Sequence, residues 1–147
     1  MKFTSIIIFT LILSSSIQAE EKAEGFENCY ESTEISKKIK NTQKFFFNIS
    51  KKKNSSNFDA MLDYVSQDRE GSLSFNCYKK DKPDNFECGA DDDSGKLSFK
   101  YTENKKTVEM KLRYANFGRL EDKNVFEIPS PRNGEQYLLK FKKVSCK

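Results

Sequence analysis

Histidine and tryptophan are both missing from the 147 residues. Histidine is the side chain whose unperturbed pKa lies nearest neutrality, so its absence excludes serine and cysteine triads built on an imidazole base. It also excludes the His-Glu-x-x-His metal site, and the chain has no Gly-x-Ser-x-Gly elbow and no P-loop. No internal repeat occurs, and no low-complexity tract longer than Lys51-Lys52-Lys53. Carboxylate pairs remain for catalysis, since Asp and Glu alone can serve glycoside hydrolysis or a metal-assisted phosphodiesterase. With 22 acidic residues some such pairs arise by chance.

Long apolar runs are scarce as well. The longest, Ile6-Ile7-Ile8-Phe9-Thr10-Leu11-Ile12-Leu13, follows Lys2 and precedes Ser14-Ser15-Ser16-Ile17-Gln18-Ala19. A basic start, an apolar stretch and a small residue at a cleavage point make a signal peptide over residues 1–19. The stretch is about half the ~20 residues needed to span a bilayer. The expectation is an exported chain, periplasmic or extracellular, whose residues 20–147 form one disulfide-bonded β domain with no membrane span. Cys29 lies ten residues past the expected cut and the C-terminus has no hydrophobic tail, so no lipid anchor is expected. Removing residues 1–19 takes away one lysine and leaves 25 basic against 22 acidic residues, a net of +3. So slight an excess does not point to a nucleic-acid binder, although Lys44-Phe45-Phe46-Phe47 and the lysine run mix basic and aromatic residues.

Four cysteines survive that cut: Cys29, Cys77, Cys88 and Cys146. An even number in a small exported domain reads as two disulfides, and without a Cys-x-x-Cys pair or a histidine a zinc site fits poorly. Spacing leaves the connectivity open. The preferred pairing joins Cys77 to Cys88 across the turn signal Lys82-Pro83-Asp84-Asn85, which leaves Cys29 for Cys146.

Aromatic residues compensate for a modest apolar content: 13 Phe and 6 Tyr can each bury about 150–250 Å². From Gly71 onward apolar residues recur with period two, the pattern of a strand with one buried face. Leu73, Phe75 and Cys77 alternate with serines and Asn76; Leu97, Phe99 and Tyr101 follow; then come Val108, Met110, Leu112 and Tyr114. Val125–Ile128 and Tyr137–Val144 are further runs, separated by Pro129 to Gly134, and Lys44–Ile49 is another. Glu103-Asn104-Lys105-Lys106 suits a hairpin turn. The stretch 58–65 fits both periods, and Ser56 with Asp59, resembling a capping pair, tilts it toward a short helix near residues 57–66. The fold class expected is mainly β, a compact antiparallel sandwich or barrel of at least six strands.

Two loops are candidate binding residues. Asp91, Asp92 and Asp93 precede Ser94-Gly95; oxygen-rich loops suit hard cations, but Lys96 and Thr102 stand where an EF-hand needs Gly and Glu. A turn in which Gly95 takes positive φ is the favoured reading. Phe117-Gly118-Arg119-Leu120 places Arg119 between apolar residues beside a flexible glycine. Asn48-Ile49-Ser50 and Asn54-Ser55-Ser56 are formal glycosylation sequons of the kind that also arise by chance.

Phe86-Glu87-Cys88 followed by Leu97-Ser98-Phe99-Lys100-Tyr101 resembles the start of one family of periplasmic lysozyme inhibitors. The Ser-Gly-x-x-Tyr loop which that family inserts into the lysozyme cleft is absent, so the resemblance assigns no residue a role. The functional expectation is an exported, non-catalytic binding module, without metal or cofactor, that presents a sheet and loops to a macromolecular or envelope partner. A carboxylate-based hydrolase, or a lysozyme-inhibitor-like protein, is the alternative.

Overall fold

A computed structural model describes residues 26–39, 42, 44–52, 55–67, 70–117, 126–131 and 133–146. Residues 1–19, expected to be a signal peptide, and Arg119 and Val125 lie outside the described residues. Nine strands follow one another: β1 Asn28–Ile35, β2 Lys44–Lys51, β3 Phe58–Val65, β4 Glu70–Lys79, β5 Asn85–Ala90, β6 Gly95–Thr102, β7 Thr107–Asn116, β8 Glu127–Ile128 and β9 Tyr137–Val144. All pairings are antiparallel, and β1 to β7 each pair with the next strand in sequence. Strand β9 then pairs with both β7 and β1, which closes eight strands into an up-and-down barrel. Of the two expected architectures the molecule takes the barrel, and closure removes the unpaired edges that a sandwich must protect.

The short strand β8 pairs with Ala115 and Asn116 of β7, just beyond the stretch of β7 that β9 occupies. The chain between β8 and β9 leaves the sheet where Pro129 and Pro131 supply no N–H, and the Tyr137 hydroxyl donates to the Pro129 carbonyl at 3.0 Å to close the excursion.

An eight-stranded barrel is just wide enough for side chains to fill it. Phe45, Phe47, Phe75 and Phe141 are buried to within 2% exposure, with Leu62, Met110, Leu112 and Leu139 beside them. Phe47 meets Phe99 edge-on at 5.0 Å, and Phe86 stacks on Phe99 at 4.8 Å. Among the described residues no polar or charged residue is buried. The outer surface carries charge instead, as in the cross-strand series Lys100, Glu109, Lys140 and Glu34. This reverses the pattern of a membrane-spanning barrel, which needs an outward apolar band. No helix of the described residues is long and apolar enough to cross a membrane.

Residues 58–65 form strand β3, not the short helix that the capping pair suggested. Ala60, Leu62 and Tyr64 point inward, and all eight residues are in register with β2 and with β4. A helix there would break two ladders, so tertiary pairing overrides the local signal. Strand β1 is an addition to the expected set. In β7 the register slips beside Arg113, where Lys96 faces Tyr114 but Leu97 faces Leu112. This bulge turns Ala115 into the core in place of Tyr114 and curves the strand for closure.

Cys77 is bonded to Cys88 and Cys29 to Cys146, the pairing that strand return across the turn favoured. The first bond joins directly opposed residues of β4 and β5, and the second ties β1 to the end of β9.

At the barrel end that holds the 103–106 turn, Tyr30 and Tyr101 lie together with ring centroids 6.2 Å apart. The Tyr30 hydroxyl donates to the Lys105 carbonyl at 3.1 Å. Burial raises both phenols, that of Tyr101 strongly, with the Tyr30 interaction adding to it. A raised folded pKa stabilises the fold fully below the unfolded value of about 10 and loses that contribution as pH climbs toward the folded value. The expected result is alkaline unfolding, with part of the tyrosinate absorbance appearing only as the barrel's circular dichroism is lost. Tyr101→Phe should move that midpoint to higher pH.

Candidate binding face

Aromatic side chains fill the interior, and the groove of the molecule lies on its outer face. The register carries one row of outward residues across five strands: Tyr78 of β4, Glu87 of β5, Ser98 of β6, Lys111 of β7 and Leu138 of β9. Ser98, the smallest of them, lies mid-row, and around it runs an open groove of about 360 Å³ lined also by Lys80, Lys100, Glu109 and Lys140. Tyr78 at 50% and Leu138 at 59% are the exposed large hydrophobic side chains among the described residues, and they mark the two ends of the row.

The groove's carboxylates are both engaged. Lys80 bonds one oxygen of Glu87, and the Tyr78 hydroxyl donates to the other at 2.8 Å. These bonds, that of Lys80 first, hold Glu87 below the usual carboxylate range, and Lys100 at 2.6 Å does the same for Glu109. Glu87 in turn raises Lys80 and Tyr78. Both glutamates therefore stay ionised into mild acid, and the pairing is lost only as pH falls through their lowered values. Lys111 is exposed and has no ion-pair partner among the described residues. The groove thus offers one cation outside any direct ion pair, acting on Glu109 only at longer range, beside one exposed aliphatic side chain, on paired residues of β7 and β9.

The Asp91–Asp93 segment connects β5 to β6 as a tight hairpin turn. Ser94 N–H donates to the Asp91 carbonyl at 3.1 Å, and the two central residues, Asp92 and Asp93, both take positive φ, as a type I′ turn requires. Gly95 has an ordinary strand role, contrary to the positive φ expected of it. Its lack of a side chain matters because a Cβ there would lie 2.7 Å from Leu73 Cδ2 and 3.0 Å from Phe75 Cε1. Asp91 accepts from Asn76 Nδ2 at 3.4 Å, and among the described residues no three Cys, Asp or Glu side chains converge as a metal-binding group. Type I′ turns favour Asn-Gly, so Asp92→Asn with Asp93→Gly should raise stability by about 0.5–1 kcal/mol in denaturant unfolding. A marked rise in melting temperature of the parent at micromolar calcium would contradict this turn reading.

Arg119 lies outside the described residues, but the flanks of its loop are fixed: Phe117 N–H donates to the Phe126 carbonyl at 3.0 Å, and both rings pack on Tyr64. Asn116 N–H donates to the Ser94 carbonyl at 2.7 Å. The topology therefore brings the Asp turn and the flanks of the Arg119 loop to one end of the barrel, away from Tyr30 and Tyr101. Sequence reasoning missed the groove row. One signal was available: Leu138-Leu139 within an alternating strand means that one leucine faces out.

Comparison with family models, with curated proteins and with solved structures finds no match. Phe86, Phe99 and Tyr101, which carry the resemblance to lysozyme inhibitors, pack against one another within the barrel. They are positions that an aromatic-filled barrel needs whatever it binds.

Proposed function

We propose that the protein is an exported, non-catalytic binding module whose outer face over β5, β6, β7 and β9 recognises a macromolecular partner. The observation that carries the reading is the juxtaposition of unpaired Lys111 with exposed Leu138 at the edge of a groove whose other charges are already compensated. A partner that presents an acidic group next to an apolar one fits that pair. Two disulfides suit an oxidising compartment, and a rigid sheet loses little entropy on binding. Acid-base hydrolysis needs a carboxyl group kept protonated near neutrality, whereas lysines hold Glu87 and Glu109 in the ionised state.

A photo-crosslinking residue placed at position 138 of the exported protein, with a control at outward Ser74 of β4, tests the face. One discrete adduct from position 138, lost on Lys111→Glu and absent from position 74, is the expected result. Equal labelling from both positions, or none from 138, would remove the groove from the account. Turnover of peptidoglycan or of a phosphodiester by the purified protein would overturn the non-catalytic part.

A further inference from the structure

The two barrel ends differ in charge. Counting the last two residues of each strand with the adjoining loops, the end with loops 52–57, 80–84 and 103–106 carries eight lysines against five carboxylates among the described residues. The end with the Asp91–Asp93 turn carries four lysines against seven carboxylates among the described residues, and the stretches of sequence between its strands also hold Lys40, Arg69, Arg119, Lys123 and Arg132 against Asp68, Glu121 and Asp122, so this end is close to neutral where the other is basic. The basic end is built from different hairpins: Lys51 ends β2, Lys79 ends β4, Lys82 lies in the β4–β5 turn, Lys105 and Lys106 lie in the β6–β7 turn, and Lys143 comes just before the end of β9. All six are exposed. Lys51, Lys79, Lys82 and Lys106 have no ion-pair partner among the described residues, so their charge is not spent inside the molecule. The β6–β7 turn is pinned at this rim, because Tyr30 bonds the Lys105 carbonyl and Lys143 N–H donates to the Lys106 carbonyl at 2.8 Å.

Charges that follow a groove suit a linear polyanion, whereas charges on the tips of separate hairpins around one barrel end suit a plane that touches them together. The chain also enters β1 at this end. We propose that the lysine rim is a peripheral docking surface for an anionic phospholipid bilayer, whose headgroups it meets without insertion. The inference rests on the export reading and uses a surface separate from the groove. Each lysine near an anionic bilayer contributes about fivefold in partitioning, and salt screens it over about a Debye length.

The test is co-sedimentation of the protein, purified from an exporting host, with vesicles of phosphatidylcholine alone or with added phosphatidylglycerol. Binding only to the anionic vesicles, weakened by salt, is expected. Lys51→Gln with Lys105→Gln and Lys106→Gln should lose on the order of a hundredfold, while the same lysines changed to Arg should bind like the parent. A control with equal charge loss at the other end, Lys37→Gln, Lys38→Gln and Lys96→Gln, should stay close to the parent. Equal loss from both triple variants would overturn the rim, as would equal binding to neutral vesicles. Displacement by polyphosphate at a lower phosphate concentration than the vesicles present would assign the rim to a linear polyanion and overturn the bilayer. Lys111→Glu should leave vesicle binding intact, so failure of the groove and failure of the rim are read apart.

Discussion

Removing the Cys29–Cys146 bond by paired Cys→Ala substitution should lower unfolding free energy by about 4–5 kcal/mol, the loop-closure entropy of a long ring. The sequence separation is 117 residues, against 11 for Cys77–Cys88. In the chain-entropy model that difference makes the longer bond the stronger constraint by about 2 kcal/mol. Its position adds a structural reason. Cys29 stands in β1 beside β9, the pairing through which the last strand meets the first. Loosening this seam opens the barrel, whereas the β4–β5 hairpin keeps its ladder without its bond. Domains of this size have about 5–15 kcal/mol in all, so the variant should be close to its unfolding threshold at 37 °C. Guanidinium unfolding of the variant against the parent measures the loss. A cost below about 1 kcal/mol would show that hydrogen bonding across β1 and β9 holds the seam by itself.

The strands of the second half were legible because their alternation is clean and their turns carry Asn, Pro, Gly or Asp. Two features were hidden. Strand β1 holds Glu31-Ser32-Thr33-Glu34 and so displays little apolar alternation of its own; β2 and β9 supply its order by pairing along both edges. In β3 Phe58 and Leu62 fit helix and strand alike, while Met61 and Val65 continue only the helical spacing and Ala60 and Tyr64 only that of the strand, and the neighbours β2 and β4 decide between them. The groove was illegible for a different reason. Tyr78, Glu87, Ser98, Lys111 and Leu138 are spread over four connections in sequence and become one row only when register is known. The lysine rim was hidden in the same way, since the runs are visible in sequence but their gathering at one end follows from the up-and-down topology. The Asp turn was readable as a turn, yet the residues in left-handed conformation are aspartates, not the glycine.

Phe47→Ala should cost about 3–5 kcal/mol, the usual range for truncating a fully buried phenylalanine. Phe47 has no exposed surface, contacts Phe99 at 5.0 Å and Phe141 at 5.9 Å between ring centroids, and so bridges β2 to β6 and β9 across the interior. A closed barrel cannot collapse readily around the void, because its eight strands are fixed by hydrogen bonds around the whole circumference, and the penalty should lie toward the upper part of that range. Thermal or denaturant unfolding checks it. Leu138→Ser gives the contrast. That side chain is exposed, so its change should move stability by less than about 0.5 kcal/mol. If the outer face is where a partner binds, Leu138→Ser should weaken the complex at unchanged melting temperature, while Phe47→Ala should weaken it only as far as it unfolds the barrel. Measuring binding well below the melting temperature of both variants separates the two causes, and a folded Phe47→Ala protein that no longer binds would shift recognition from the surface to the shape of the core.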